Sequence, residues 1–290
     1  RGLPRRQVNS TAPMLTLALL AEVSGREDWR TTSADWAGWI ATYMLRTEEG
    51  GIQHTVKERD NDGELWDDTL VMAALFMAAA GKLCGRKDWI EDAEAQFLTH
   101  IRFLGDPRSG LFFHGWTFDG RHNFANALWC RGNAWLTMAI PELYRINPPA
   151  GAVDRHLRAV WNTQVAALLP LQNACGLWHT LLDDPNSPLE ASGSAGIAYG
   201  MLAGMRENLV SFDTWTAIQK PVARAHRAIV TRIGPDGLLE DVSDGTPMGH
   251  DLDFYRRIPN VPTPYGQALA TLFLSELALQ DVSVMQAANQ

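Results

Sequence analysis

"SGLFFHGW", residues 109–116, decides how this chain is read, because the phrase recurs. "GGIQHT" stands at 50–55, "CGLWHTLLDD" at 175–184 and "DGLLEDVSDG" at 236–245. With Gly51, Gly110, Gly176 and Gly237 as markers, the copies follow one another at 59, 66 and 61 residues. Such a period marks a repeated structural unit. Each copy opens on a glycine turn and continues as an alternating or apolar run, the pattern of a short extended segment.

A helix is predicted behind each copy. "DDTLVMAALFMAAAG" begins at Asp67, "ALWCRGNAWLTMAIPELY" at Ala127, "EASGSAGIAYGMLAG" at Glu190 and "TPYGQALATLFLSELAL" at Thr263; "NSTAPMLTLALLAEVSG" fits as an earlier copy. These helices are apolar nearly all round and rich in Ala and Gly, as buried, closely packed helices are. More amphipathic helices are predicted between them, around 28–45, 89–103, 152–169 and 214–233. Buried helix, outer helix, hairpin-like loop, repeat: the pattern predicts an all-α fold, an (α/α)6 toroid of helical hairpins forming a single domain over 1–290. Units of about 60 residues are too few here for a closed ring, so part of the first hairpin is expected to be lacking. Every inner helix then starts from the same end. There the marker loops gather His54, Asp67, Asp68, His114, Trp116, Asp119, Trp129, Arg131, His179 and Glu190.

Composition narrows the function. The chain has 290 residues, 46% hydrophobic, with 25 Lys+Arg against 33 Asp+Glu and a formal net charge of −8. That supports a large core and argues against nucleic acid as a partner, since no basic cluster follows Arg5 and Arg6. The opening "RGLPRR…APMLTLALLAEVSG" imitates a secretion signal, but its apolar stretch is short and its periodicity suits an amphipathic helix. No apolar run reaches the roughly 20 residues of a membrane span. Cys84, Cys130 and Cys175 are odd in number and widely spaced, the mark of buried thiols in a reducing compartment. No histidine pair has zinc-ligand spacing, so no metal is expected. Eleven tryptophans are many for this length. They suit either a large helical core or a cleft whose indole faces stack on rings.

"LWDDTL", "GLFFHGWTFDG", "ALWCRGNAW", "EASGSAGIAYG" and "PYGQALA", in that order, make the chain resemble the unsaturated uronyl hydrolases of glycoside hydrolase families 88 and 105, and in particular the unsaturated rhamnogalacturonyl hydrolases of family 105. The resemblance runs through nearly the whole chain. It implies the (α/α)6 barrel, usually with a further hairpin ahead of the point where this chain begins. It also implies the chemistry: a 4,5-unsaturated uronic acid at the non-reducing end of a short oligosaccharide is an enol ether. An aspartic acid gives a proton to C4, water adds at C5, and the hemiketal opens to a keto sugar. No metal or organic cofactor is implied. The expected partner is the small oligosaccharide, with no nucleic acid and no membrane, acted on by a monomer or homo-oligomer in the cytoplasm.

Carried over residue by residue, the principal acid/base aspartate falls on Asp119, its companion on Asp68, and the arginine of W-x-R-G-x-x-W on Arg131 between Trp129 and Trp135. Asp119 stands in an Asp-Gly pair, which is first of all a turn. Its carboxyl would need burial against Trp116 and Phe118, or Asp68 beside it, to hold a proton near neutrality. Of the adjacent pair, Asp67 is expected to cap the helix and Asp68 to serve the site. Arg131, at the positive end of a helix, needs an anion: either a nearby carboxylate or the substrate's. Trp116, His114 and His179 are candidate sugar contacts, although histidines at repeat positions also fit a structural pin, as does His54. Glu190 is expected to make a structural bond at its helix start, and the proline-rich 245–267 loop to contribute Tyr255, Arg256 and Tyr265 to the rim. Two other readings stay open: a conventional inverting glycosidase on this fold, and a truncated, non-catalytic saccharide-binding toroid.

Overall fold

The computed structural model describes residues 6–55, 61–210 and 212–280; Arg5 of the opening basic pair lies outside them. The chain is arranged as two compact units. The first holds the chain to Gly105 with 115–122 and 142–154; the second holds 106–114, 123–141 and the chain from Arg155 on.

In the first unit α1 (Val8–Ser24) and α2 (Glu27–Tyr43) form one hairpin. α3 (Leu75–Cys84) and α4 (Lys87–Leu104) form the next. Both corners are built from the same words, "GREDW" at 25–29 and "GRKDW" at 85–89. Gly25 and Gly85 take left-handed φ of 68° and 70°, which ends α1 and α3 without a Cβ clash. Arg26 and Arg86 then grip Asp28 and Asp88 with two nitrogens each and lie over Trp29 and Trp89. β1 (Glu64–Trp66) pairs antiparallel with β2 (Gly115–Thr117), with Glu64 opposite Thr117 and Trp66 opposite Gly115.

The second unit contains α5 (Cys130–Ile146) as far as Pro141, α6 (Gly151–Leu168) from Arg155, α7 (Ala191–Arg206), α8 (Phe212–Val230), the short α9 (Leu252–Arg256) and α10 (Pro264–Leu279). β3 (Trp178–His179) and β4 (Leu189–Glu190) close a small ladder ahead of α7. α7 is buried from Ala191 to Met205, and its glycines allow that. A Cβ on Gly200 would meet Thr137 O at 2.5 Å, and one on Gly204 would meet Trp161 Cζ2 at 2.1 Å.

The repeat has a physical basis in hydrogen bonding. Gly50, Gly110, Gly176 and Gly237 all have φ between 77° and 100°. Their turns close alike: Thr47 N–H to Gly51 O, Asp106 to Leu111, Asn173 to Leu177 and Gly234 to Leu238. The first marker is therefore Gly50, one residue earlier than the sequence alignment placed it; Gly51 occupies the position of Leu111, Leu177 and Leu238. Two residues after each turn glycine, an extended backbone N–H is accepted by a helix side chain. Gln96 Oε1 accepts from Ile52 (2.6 Å), Asn133 Oδ1 from Phe112 (2.9 Å), Ser194 Oγ from Trp178 (2.8 Å) and Gln267 Oε1 from Leu239 (3.0 Å).

The helices match the expected ones to within a few residues, with one change. Ahead of α3 the chain runs through a π-helical turn, Leu70–Ala74, whose N-cap position is Thr69 and not Asp67. We predict that Gly200→Ala lowers stability by about 1–3 kcal/mol through overpacking. Gly38→Ala, on α2 with nothing within 4 Å of its Cβ, should be neutral or raise stability by up to about 1 kcal/mol. Urea midpoints check both, and equal midpoints for the two variants would contradict the close approach at Thr137.

Candidate active site

In the first unit, β1 delivers Trp66, Asp67 and Asp68 in succession to the π turn. Asp67 is fully buried, while Asp68 keeps 16% of its side chain exposed. His54, on the marker loop, is flat against Trp66, with ring centroids 4.1 Å apart and planes 3° apart. Its Nδ1 lies 3.1 Å from Thr69 Oγ1 and within ion-pair reach of Asp68 Oδ1, also 3.1 Å. Trp66 is itself fixed by donating from Nε1 to Glu64 Oε2 at 2.7 Å. Single π turns occur disproportionately at functional sites. Here one sets the carboxylate of Asp68 beside an imidazole on a wall of aromatic rings.

Phe103 of α4 packs on Trp116 at 5.4 Å and on Phe118 at 4.9 Å. His100, a turn earlier on α4, is wholly buried, and its Nδ1 faces Gln96 O at 2.8 Å. A carbonyl only accepts, so Nδ1 carries the hydrogen. Burial pushes the His100 imidazole down to about 4, against the Gln96 carbonyl and the Asp68 charge, which favour the proton. His100 is therefore neutral through the physiological range. No sequence signal set it apart from an ordinary amphipathic-helix histidine.

Asp119 is not brought to Asp68. It follows β2 in an exposed turn, its N–H donating to Thr117 Oγ1 at 3.1 Å, with Gly120 at φ 72° behind it. The β1–β2 register decides the matter: Asp68 follows Trp66 at one end of the ladder, and Asp119 follows Thr117 at the other. Phe118 N–H reaches Gly63 O (2.9 Å), which confirms that end. The Asp-Gly pair is the turn its sequence describes, and the burial expected from Trp116 and Phe118 does not reach its carboxylate.

In the second unit Arg131 is 3% exposed and bound on all sides. Its guanidinium lies over Trp129 (4.4 Å) and Tyr265 (4.6 Å). Nη1 donates to Ser243 O (2.8 Å), Ser243 Oγ (2.6 Å) and Ser192 Oγ (3.2 Å); Nη2 donates to Asp244 O (3.2 Å) and Thr246 Oγ1 (3.0 Å). The anion it needed is Glu190, with Oε1 3.7 Å from Nη1. Glu190 caps α7, accepting from Ser192 N–H, Gly193 N–H and Ser192 Oγ, and it takes Ser243 N–H at 3.0 Å. Of the two partners the sequence allowed, the geometry supplies the carboxylate of the protein. Arg131 ties the 243–246 loop to the starts of α5 and α7.

The remaining candidates divide by exposure. Trp129 is buried in an extended segment bridged to Leu181, and His114 packs on it at 4.4 Å while its Nδ1 meets Tyr255 Oη at 2.7 Å. Both ring nitrogens of His179 are engaged, Nδ1 with Ser187 O (2.7 Å) and Nε2 with Asn173 Nδ2 (3.1 Å). Counted from the turn glycines, His54 and His114 share a repeat position and His179 falls one residue short, on the other face. Tyr255 is buried, Arg256 pairs with Asp184 and Asp253, and Tyr265 donates to Ser243 O. Trp116 and Trp135 are half-buried. Burial also raises the Cys130 thiol well above its ordinary range. Among the described residues there is no cluster of three metal-ligating side chains, and no helix is long and apolar enough to cross a membrane.

A helical-hairpin chain whose loops carry aspartate, imidazole and indole has the build of a glycoside hydrolase of the (α/α)6 toroid class. The chain belongs to glycosyl hydrolase family 88, whose profile matches residues 1–279. It is 35% identical over 283 residues to the unsaturated rhamnogalacturonyl hydrolase YesR of Bacillus subtilis, covering 95% of this chain and 78% of that protein. Crystal structures of possible GH105 members superpose with TM-scores of 0.90 (Salmonella enterica serovar Paratyphi A, 46% identity) and 0.91 (Klebsiella pneumoniae, 47% identity). These cover 95% and 96% of this chain, and 72% and 73% of theirs.

His100 yields a pH prediction. An imidazole in an unfolded chain titrates near about 6.5, whereas His100 in the native state takes its proton only near about 4. Its contribution to stability is therefore complete above that window, lost as pH falls across it, and constant below it. For His100→Gln the urea midpoints at about pH 7 and about pH 4.5 should lie closer together than for the parent. An unchanged gap would mean that His100 does not resist protonation.

Proposed function

We propose that this glycoside hydrolase removes a 4,5-unsaturated uronic acid from the non-reducing end of a short rhamnogalacturonan-type oligosaccharide, by hydrating the enol-ether double bond. The observation that carries the reading is Asp68: a partly exposed carboxylate held between His54 and a π-helical turn, on an aromatic wall, in a chain closely related to a named unsaturated rhamnogalacturonyl hydrolase. Asp68 is assigned the proton transfers. Its carboxyl gives a proton to C4, and the positive charge that develops at C5 is shared with the ring oxygen. Water adds at C5 and returns a proton to the Asp68 carboxylate; the hemiketal opens by breaking the bond from C5 to the ring oxygen, leaving a ketone at C5, and the hemiacetal so left at C1 collapses to an aldehyde and releases the neighbouring sugar. Every proton is returned, so no cofactor is needed for balance.

Asp119 is not carried forward as the principal acid, because it stands in an exposed turn past the end of the ladder opposite to Asp68. The same placement weighs against a conventional inverting glycosidase, which needs two carboxyl groups facing each other about 6.5–9.5 Å apart across a saturated sugar. Asp68 and Asp119 sit at opposite ends of a ladder instead. Trp116 is the proposed sugar contact in the first unit and Trp135 the proposed one in the second, where Arg131, Trp129, His114 and His179 fix the loops of that unit. The reading includes a cytoplasmic setting, late in pectin breakdown, with a short oligosaccharide as the partner.

The test follows the ultraviolet absorbance of the conjugated double bond in an unsaturated galacturonyl-rhamnose disaccharide. The parent protein should bleach it; Asp68→Asn should fold normally and lose about 10²-fold or more, the scale of general acid–base catalysis. Asp119→Asn should stay within about three-fold of the parent. A fast Asp68→Asn or a dead, well-folded Asp119→Asn would return the acid role to Asp119.

A further inference from the structure

We infer that His54 is the positioning residue of Asp68, restraining the rotation of its carboxylate; the inference rests on Asp68 making the proton transfers. A carboxylate on a turn is free to rotate about two side-chain bonds, and a group that must meet one carbon of one ring gains from losing that freedom. His54 is built to remove it. Its side chain is 4% exposed, and the flat stack on Trp66 fixes the plane of the imidazole. Its backbone N–H is tied to Glu64 O at 3.1 Å, so β1 holds both the ring and the residue that carries it.

Nδ1 lies in that plane and touches both sides of the helix start: Thr69 Oγ1 at 3.1 Å and Asp68 Oδ1 at 3.1 Å. An Oδ1 kept beside the imidazole restrains the rotation of the Asp68 carboxylate. Asp68 stands just ahead of the π turn, and its carbonyl accepts the Met72 N–H at 3.0 Å. His100 does not do the same work. Its Nδ1 is turned to Gln96 O on its own helix, and it stays neutral behind the pair. Elsewhere in the repeat, the Nδ1 of His114 meets a tyrosine hydroxyl and that of His179 a backbone carbonyl. The repeat supplied histidines that pin loops, and at His54 the loop-pinning nitrogen also reaches a carboxylate.

Two substitutions separate positioning from packing. His54→Phe keeps a flat ring for Trp66 and removes the nitrogen; His54→Asn places an amide where Nδ1 stands. With the unsaturated disaccharide, His54→Phe should lower kcat by about ten-fold or more, with KM within about three-fold and an unchanged melting temperature. His54→Asn should recover most of the lost kcat. Parental kcat in His54→Phe overturns the inference, and so does a folded His54→Asn as slow as Asp68→Asn. Should His54→Phe not fold, the rate of His54→Asn decides alone. Asp68→Asn measured alongside separates the two levels. If it is as fast as the parent, the reading of the site fails and this inference with it. If it is slow while His54→Phe is fast, only the positioning role falls.

Discussion

A side-chain amide underlies the architecture. Asn133, buried on the first turn of α5, accepts the Phe112 N–H and donates to the Phe112 and Trp129 carbonyls. The extended segments after the turn glycines run against apolar helices, where an unpaired backbone group costs about 1–3 kcal/mol. Each needs a polar hook from a helix, and Gln96, Asn133, Ser194 and Gln267 are the hooks. Turn glycine, extended pair and hook form one device, used four times among the described residues.

The same requirement accounts for what lies at the helix starts. α7 can be buried all round because glycines let it approach Thr137 and Trp161, and because Glu190 satisfies its first N–H groups. That carboxylate would be costly in such surroundings without Arg131 nearby, and Arg131 in turn neutralises the disadvantage of sitting at the positive end of α5. In the first unit, the helix start at Thr69 is a π turn instead, with Asp68 left partly exposed beside His54. One kind of helix start closes on its own carboxylate, and the other leaves a carboxylate partly exposed beside an imidazole.

Much of this was legible in the sequence. Gly110, Gly176 and Gly237 marked turns that only a left-handed residue makes readily, and the apolar Ala/Gly runs marked the buried helices. The alignment slipped at "GG" because either glycine satisfies the pattern, and only φ separates Gly50 from Gly51. Glu190 was read as a structural carboxylate, and it is one. The closeness expected of Asp119 and Asp68 is not met, because motif order carries no distance: the antiparallel register of two three-residue strands sends the chain after each in opposite directions. Arg131 required an anion, and sequence could not say that Glu190, 59 positions on, would be within 3.7 Å. Gln96 and Gln164 were missed altogether. Their signal is a polar residue on the inward face of successive outer helices, where each bonds to a loop or inner-helix group.

The central claim is that this toroid acts on the double bond of an unsaturated uronate and not on an ordinary glycosidic linkage. The measurement that tests it most directly offers the protein two disaccharides alike in every linkage, one ending in unsaturated galacturonate and the other in its saturated parent. Cleavage should be confined to the unsaturated sugar, with released rhamnose and lost ultraviolet absorbance appearing in equal amounts. Release of rhamnose from the saturated disaccharide at a comparable rate would contradict it.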